Sequence, residues 1–252
     1  MRVLAGLQRL REANAIAQQG WTKFLQSAAR LNDKPRLAAL IARRLATIQP
    51  PLLDEIVSVP AHWFELNAKR LFEVDRDAAQ ALFDRLLAAI AADPNGRLQK
   101  ISLVDTERDW LEDAWSSAIR PLVEVLFADT QLTAIELKAG LPAGWTRRAD
   151  ALRNLPGDYG LFALTQFAQR LLWLYARDPA WTERIIIAPI DQDGNERDAA
   201  LAGFFSNTKV SGELFRRVKS TLLALTTAEE RPREQREAVL AGLFITCLAG
   251  QD

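Results

Sequence analysis

The chain has 252 residues, enough for one large domain or two small ones with a substantial core. Hydrophobic residues make up 49% and charged residues 25%, and 32 basic side chains balance 32 acidic ones. That zero net charge disfavours a general nucleic-acid binder, which needs a basic excess, and leaves only a local patch open. No apolar run approaches the roughly 18 residues of a membrane span. The opening MRVLAGLQRLREANAIAQQG has neither a continuous apolar core nor a signal-peptide cleavage pattern. The lone Cys247 cannot form an internal disulfide, so the expected location is cytoplasmic and no membrane partner is expected. With His62 as the single histidine, a zinc site of His and Cys ligands is nearly excluded. His62 beside Pro60 reads as a capping or surface residue and not as a member of a catalytic triad. Neither G-x-G-x-x-G nor G-x-x-x-x-G-K-[ST] occurs, so the chain cannot carry a standard dinucleotide fold by itself. No cofactor and no metal are expected.

In chain order, Val3, Leu4, Leu7, Leu10, Ala13, Ile16, Ala17, Trp21, Phe24 and Leu25 predict an amphipathic helix, broken near Gly20. Asn32-Asp33-Lys34-Pro35 is a turn and restart. Leu37, Leu40, Ile41 and Leu45 follow at helical spacing, with Arg43 and Arg44 facing out. Pro50-Pro51 opens the next helix, and Pro60 separates it from a longer one. From Asp75 to Ala92 a further helix turns Ala78, Ala81, Leu82, Leu86 and Ile90 inward, and Asp93-Pro94-Asn95-Gly96 closes it. Residues 97–105 read as a loop or short extended piece. A helix beginning at Asp105-Thr106-Glu107 carries Trp110, Leu111, Ala114 and Trp115, and Pro121 should kink or break it. Leu141-Pro142-Ala143-Gly144-Trp145 is a turn, Trp145 to Leu155 a short helix, and Pro156-Gly157-Asp158-Tyr159-Gly160 a loop.

The stretch 161–225 is the most strongly apolar part of the chain. Leu161, Leu164, Phe167, Ala168, Leu171, Leu172 and Leu174 share one helical face, which Trp173 and Tyr175 widen. Asp178 supplies an N-cap oxygen and Pro179 fits the first helical position, so Asp178-Pro179 is a stop and restart. Ile185-Ile186-Ile187 has strand propensity, but its spacing from Trp181 to Ala188 favours helix, ended by Pro189. The tip from Asp191 to Asp198 places Asp191, Asp193 and Asn195 like calcium ligands. It fails that motif, because Glu196 stands where glycine is needed and Ala202 where a glutamate is needed. An exposed turn capping the next helix is the expectation. Glu229 to Glu234 forms a charged linker, and a last helix carries Val239, Leu240, Leu243, Phe244 and Leu248.

Helix follows helix, and no run alternates with period two. Ala68 to Val74 also resembles Ala168 to Leu174, and Asp77 and Asp178 each then precede a second apolar helix. The expected class is therefore all-α, with antiparallel helix pairs stacked as an irregular, HEAT-like α-solenoid. Residues 1-252 are expected to form a single helical-repeat domain with a sub-boundary near 93-105.

No chemistry stands out. Glu107, Asp109, Glu112 and Asp113 flank Trp110 and Trp115, and a catalytic pair needs burial and a raised pKa that helix-surface acids seldom have. The pairs Arg43-Arg44, Arg147-Arg148 and Arg216-Arg217 would form a basic groove with Trp145 only if they shared one face; neighbouring acids favour scattered salt bridges instead. The seven tryptophans, Trp21, Trp63, Trp110, Trp115, Trp145, Trp173 and Trp181, are many for this length. Most should anchor helices, and one or two should serve as interface hot spots. The candidate interface residues are Trp110, Trp115, Trp145, Trp173 and Trp181.

Four blocks carry a family resemblance. They are Arg108-Asp109-Trp110-Leu111-Glu112-Asp113-Ala114-Trp115 with the helix ending at Leu126-Phe127; Leu141-Pro142 to Leu155-Pro156-Gly157-Asp158; Leu174 to Trp181; and Ala199 to Phe205 with the helix from Glu213 to Leu225. Together, over about residues 35–250, they resemble the helical C-terminal region of bacterial sirtuin-like antiphage defence proteins, a domain of unknown function. In that family an N-terminal sirtuin-like domain degrades NAD during infection, and the helical region is thought to sense a phage protein and support assembly. The pattern departs at Trp115-Ser116-Ser117, where a small polar turn is expected. It departs also in lacking the sirtuin-like part, so the family's NAD-site residues have no positions here. The resemblance implies a separately made helical module or a fragment, whose partner is an effector or phage protein. The first expectation is a non-enzymatic protein-interaction module of a bacterial antiphage system. The alternatives are an enzyme with a carboxylate-based site in a helical groove, and a nucleic-acid-binding helical module, the latter disfavoured by charge.

Overall fold

The computed structural model describes residues 15–31, 33–48, 50–93, 108–206 and 211–227. Expectations for 1–14, 94–107 and 228–252 lie outside these residues. They cover the start of the first helix, the loop at 97–105, the helix start at Asp105-Thr106-Glu107, the charged linker and the last helix with Cys247.

All regular structure among the described residues is helical, as the pattern predicts. In chain order the helices are α1 (Ala15–Ser27), α2 (Pro35–Ala46), α3 (Pro50–Ile56), α4 (Ser58–Val74), α5 (Arg76–Ala91), α6 (Trp110–Ser116) and α7 (Ile119–Phe127). A 3-10 turn, Thr130–Ala134, leads to α8 (Ala143–Arg153), α9 (Tyr159–Ala168), α10 (Leu171–Arg177) and α11 (Pro179–Thr182). A π turn, Glu183–Ile187, joins α11 to α12 (Ala188–Ile190), followed by α13 (Asn195–Phe205) and α14 (Gly212–Thr227). No helix among the described residues is long and apolar enough to cross a membrane.

The chain divides into two compact units. The first takes Met1–Ser102, Ser116–Ala134 and Pro142–Tyr159, and the second takes Leu103–Trp115, Ile135–Leu141 and Gly160–Asp252. The sub-boundary expected near 93-105 falls almost wholly outside the described residues.

In the first unit, α4 packs against α1, α2, α5 and α7, and α2 and α3 both rest on α5. Pairings one, two and three helices apart all occur. The reason α4 is central lies in its composition: Ala61, Trp63, Phe64, Ala68, Leu71 and Phe72 are buried on more than one side. Its buried Asn67 staples the α1–α2 connection. The amide nitrogen donates to Ala29 O at 2.9 Å, and the amide oxygen accepts the Leu31 N–H at 3.0 Å. Asp75 ends α4 and caps α5, accepting the Ala78 N–H at 3.2 Å.

Several local expectations shift. Helix α1 runs through Gly20 unbroken, since Ala17, Trp21 and Leu25 form one buried row and hold the backbone helical. Pro60 lies in the first turn of α4, where its missing N–H costs nothing, and the break falls at Val57. Ala81 is exposed, and Ala79 and Phe83 face inward instead. Pro121 lies in the first turn of α7, with the break just before it at Ser117 and Ala118.

In the second unit, the single helix expected across 161–174 is two. Gln169 and Arg170 form a turn between α9 and α10, where the Arg170 N–H bonds Phe167 O, three residues back, at 2.9 Å. Helices α9 and α13 approach closely at Gly203. A Cβ there would lie 2.0 Å from Thr165 O. Asp178 and Pro179 make the expected stop and restart, with the Asp178 carboxylate accepting the Trp181 N–H at 2.9 Å. The isoleucine run is helical as expected, but in π form. The wider turn lets Ile185, Ile186 and Ile187 all point inward. Helix continues past Pro189 to Ile190. At the tip, Gly194 takes a φ of 118°, which the absence of a Cβ permits, and α13 begins without a side-chain cap.

A candidate protein interface at Trp115

Helix α6 is held by polar and aromatic contacts around it. Asp109 caps it, one carboxylate oxygen accepting the Leu111 and Glu112 N–H groups at 3.0 Å each. Trp110, 7% exposed, lies against Phe162 with ring centroids 6.3 Å apart. The Arg108 guanidinium stacks 3.9 Å over the Trp110 ring and donates to the Asp113 carboxylate at 3.1 Å. On the same helix Ala114 is fully buried, and its carbonyl accepts the Gln166 amide at 2.9 Å. Gln166 is itself buried, so the bond is shielded from water.

Trp115 is the outcome of this anchoring. Five residues past Trp110 it lies about 140° around the helix, at about 100° per residue. It is 57% exposed, with exposed Glu112 one turn before it. A large aromatic in water on a fixed helix is a hot-spot geometry, because binding desolvates much area while ordering few rotors.

The other candidate tryptophans are placed differently. Trp145 is 3% exposed, its indole N–H donates to Leu126 O at 3.0 Å, and Phe127 meets it edge-on at 5.5 Å. Trp181 is 4% exposed and packs edge-to-face on Phe167. Trp110 and these two are buried core anchors. Trp173 is half-buried, with the Arg177 guanidinium 4.3 Å over its ring. Trp115 alone among the five presents most of its surface to solvent.

Three exposed apolar residues among those described, Val74, Leu137 and Leu223, were missed by the sequence reasoning. Leu137 is 72% exposed on a strap whose backbone is fixed. The Lys138 and Gly140 N–H groups donate to Ala176 O and Arg177 O, both at 2.9 Å, satisfying carbonyls at the end of α10. Lys138 takes a φ of 60°, a left-handed conformation that a lysine adopts at some cost. Nothing in the residue pattern marks this, since the strap is held by carbonyls more than thirty residues away.

The basic groove has no stacking platform at Trp145, which is buried. Three of its six arginines are held in ion pairs: Arg43 pairs with Asp75 at 2.6 Å, and Arg148 forms two bonds to Asp84, at 2.8 and 3.0 Å. Arg217 pairs with Glu183 and with Asp191, the latter at 2.8 Å. Asp191 is therefore committed to α14, through Arg217 and through Thr221 at 2.6 Å, and its oxygens hold donors where the calcium reading would put an ion. Burial pushes the Asp191 carboxyl up, but hydrogen bonds from Thr221 and Arg217 and the charges of Arg217 and Arg197 outweigh it and hold it below the usual range. The bond to Asp191 raises Arg217 against its own burial, and Glu183 adds to the rise. This is an ion-pair clamp and not a carboxyl raised for acid catalysis. Near Trp110 the acids have separate structural tasks, Asp109 as a cap and Asp113 as the partner of Arg108; Glu107 lies outside the described residues.

No family model matches the chain, and neither does any curated protein or solved structure.

Proposed function

We propose that the chain is a non-enzymatic helical protein-interaction module whose contact surface centres on Trp115. The observation that carries this reading is the exposure of Trp115 on α6 while Trp110, Asp113 and Ala114 on the same helix are locked inside. The contact is thereby preorganised, which lowers the entropy cost of binding. Arrangement of the helices as stacked antiparallel pairs, giving an extended solenoid surface, belongs to the same proposal.

The resemblance of the four blocks to the helical region of sirtuin-like antiphage proteins supports a more specific role: sensor or scaffold in a bacterial defence system, in the cytoplasm, with an effector or phage protein as partner. The test is affinity capture from bacterial lysate, with and without phage infection, on wild-type and Trp115→Ala baits, read by mass spectrometry. A protein retained by the wild type, lost on the variant and rebound when purified supports the reading. Turnover of a small-molecule or nucleic-acid substrate by the purified chain, with no such protein, overturns it.

A further inference from the structure

The zero net charge of the chain conceals an uneven distribution. Residues 1–48 carry nine basic side chains and two acidic ones. The cations of α2 and the turn before it also differ from those around them. Elsewhere in the first unit Arg70 is held by Glu73, Arg76 by Asp129, Arg85 by Ile48 O, Arg120 by Glu65 and Arg148 by Asp84. The side chains of Arg30, Lys34, Arg36 and Arg44 are exposed and have no partner among the described residues.

These cations follow α2. The helix buries Ala38, Ala39, Ile41, Ala42 and Leu45, packs on α4 and α5, and contains no acidic residue. Arg36 and Arg43 are seven residues apart, so they leave the helix within about 20° of each other and about 10 Å apart along its axis. Arg44 adjoins Arg43, and Lys34 occupies the N-cap position at the other end. Arg30 lies four residues earlier, in a turn whose backbone is held by Asn67 and Trp63. The acids of this turn, of α4 and α5 and of their junction are Asp33, Glu65, Glu73, Asp75, Asp77 and Asp84. Glu65, Glu73 and Asp84 are paired with Arg120, Arg70 and Arg148. Asp75 takes Arg43, which stays largely exposed. Asp33 and Asp77 are left against Arg30, Lys34, Arg36, Arg44 and the exposed Lys69 of α4, so the local balance is positive.

The row lacks what other anionic partners need. The large apolar residues exposed among those described are Val74, Trp115, Leu137 and Leu223, and none lies on α2 or in the turn before it. A protein contact is centred on such a residue, and a peripheral membrane contact inserts one. A single strand needs an exposed aromatic ring on which its bases stack, and the row has none. A duplex needs only cations that meet its phosphates, and the guanidinium fork matches phosphate geometry. We propose that α2 and the turn before it bind the sugar–phosphate backbone of duplex nucleic acid without reading its sequence.

The test titrates the full chain into a short fluorescein-labelled DNA duplex of mixed sequence, read by anisotropy. Saturable binding is expected at about 50 mM salt, and about four phosphate contacts should make affinity fall about hundredfold by about 200 mM. Arg36→Gln with Arg44→Gln should weaken binding at least about fivefold and reduce the salt dependence by about half. Arg216→Gln with Lys219→Gln removes the same charge from exposed positions of α14 and should bind within about twofold of wild type. All four positions are exposed, and thermal unfolding checks that both variants fold. Absence of saturable binding, an unchanged salt dependence in the α2 variant, or an equal loss in the α14 variant would each overturn the proposal. So would tighter binding to a single strand of the same length or to phosphatidylserine vesicles. Trp115 is unchanged in every arm, so these outcomes are independent of the interface reading.

Discussion

Asp178 joins two segments through one carboxylate: one oxygen accepts the Leu141 N–H at 3.0 Å while the other caps α11 through Trp181. With the Lys138 and Gly140 N–H groups on the carbonyls of Ala176 and Arg177, this bond fixes the strap that carries Leu137. Asp178→Ala removes the cap and orphans the Leu141 N–H, and should destabilise the protein by about 1–3 kcal/mol. Asp178→Asn, which keeps an acceptor oxygen, should recover part of the loss. Urea unfolding of the three proteins checks this; equal stability of Ala and wild type would remove Asp178 from the account.

Gly203 tests the α9–α13 crossing by sign. In an open helix, alanine is favoured over glycine by about 1 kcal/mol. Here the added Cβ would meet Thr165 O at 2.0 Å and Ala168 Cβ at 2.8 Å, so the helices must separate. Gly203→Ala should therefore be destabilising, by about 1–3 kcal/mol. A stabilised Gly203→Ala protein in the same unfolding assay would mean that the helices do not approach as described.

Buried against exposed partners also behave unequally. Arg148 is buried and stacks near Phe83, whereas its partner Asp84 is largely exposed. Removing Asp84 leaves a buried guanidinium short of a counter-charge, and removing Arg148 leaves only a solvated carboxylate. Asp84→Ala should thus cost about 1–2 kcal/mol, more than Arg148→Met, whose apolar chain fills the same space. The reverse order in denaturant midpoints would contradict this placement.

The Asp191 clamp gives a pH dependence whose sign follows from the shift. Its folded-state pKa lies below the ordinary value of 3.8, so the folded protein holds the proton less well than the unfolded chain. The stabilisation is present above that value and is lost as pH falls through the folded-state pKa. Its size is reduced by solvent screening, since Asp191 is about one-third exposed. Asp191→Asn should lower stability near neutral pH and flatten the loss below pH 3.8. Parallel pH–stability curves for variant and wild type would count against the clamp.

Features written within a turn of their cause were legible in the sequence. Asp178-Pro179 reads as a cap and restart because both residues act on the next backbone groups. The helical state of Ile185 to Ile187 was visible in spacing, but their π form was not, since it reflects packing on all sides. The break at Gln169 and Arg170 has no local glycine or proline to announce it. Among the tryptophans, composition gave five equal candidates. Their roles are set by distant groups such as Leu126 O for Trp145 and Phe167 for Trp181, which periodicity does not reveal. Trp110 and Trp115 differ by their angle around α6, information the sequence contains once the helix bounds are known.

The most direct test of the interface is the affinity of a purified, directly captured partner for wild type and for Trp115→Ala, measured by calorimetry. Thermal unfolding should show the variant as stable as wild type, because its side chain contributes little to the core. A hot spot of about 2 kcal/mol or more predicts affinity lower by about thirtyfold. Binding by Trp115→Ala within about twofold of wild type would contradict the central claim, since an exposed tryptophan at the heart of a contact cannot be removed at so small a cost.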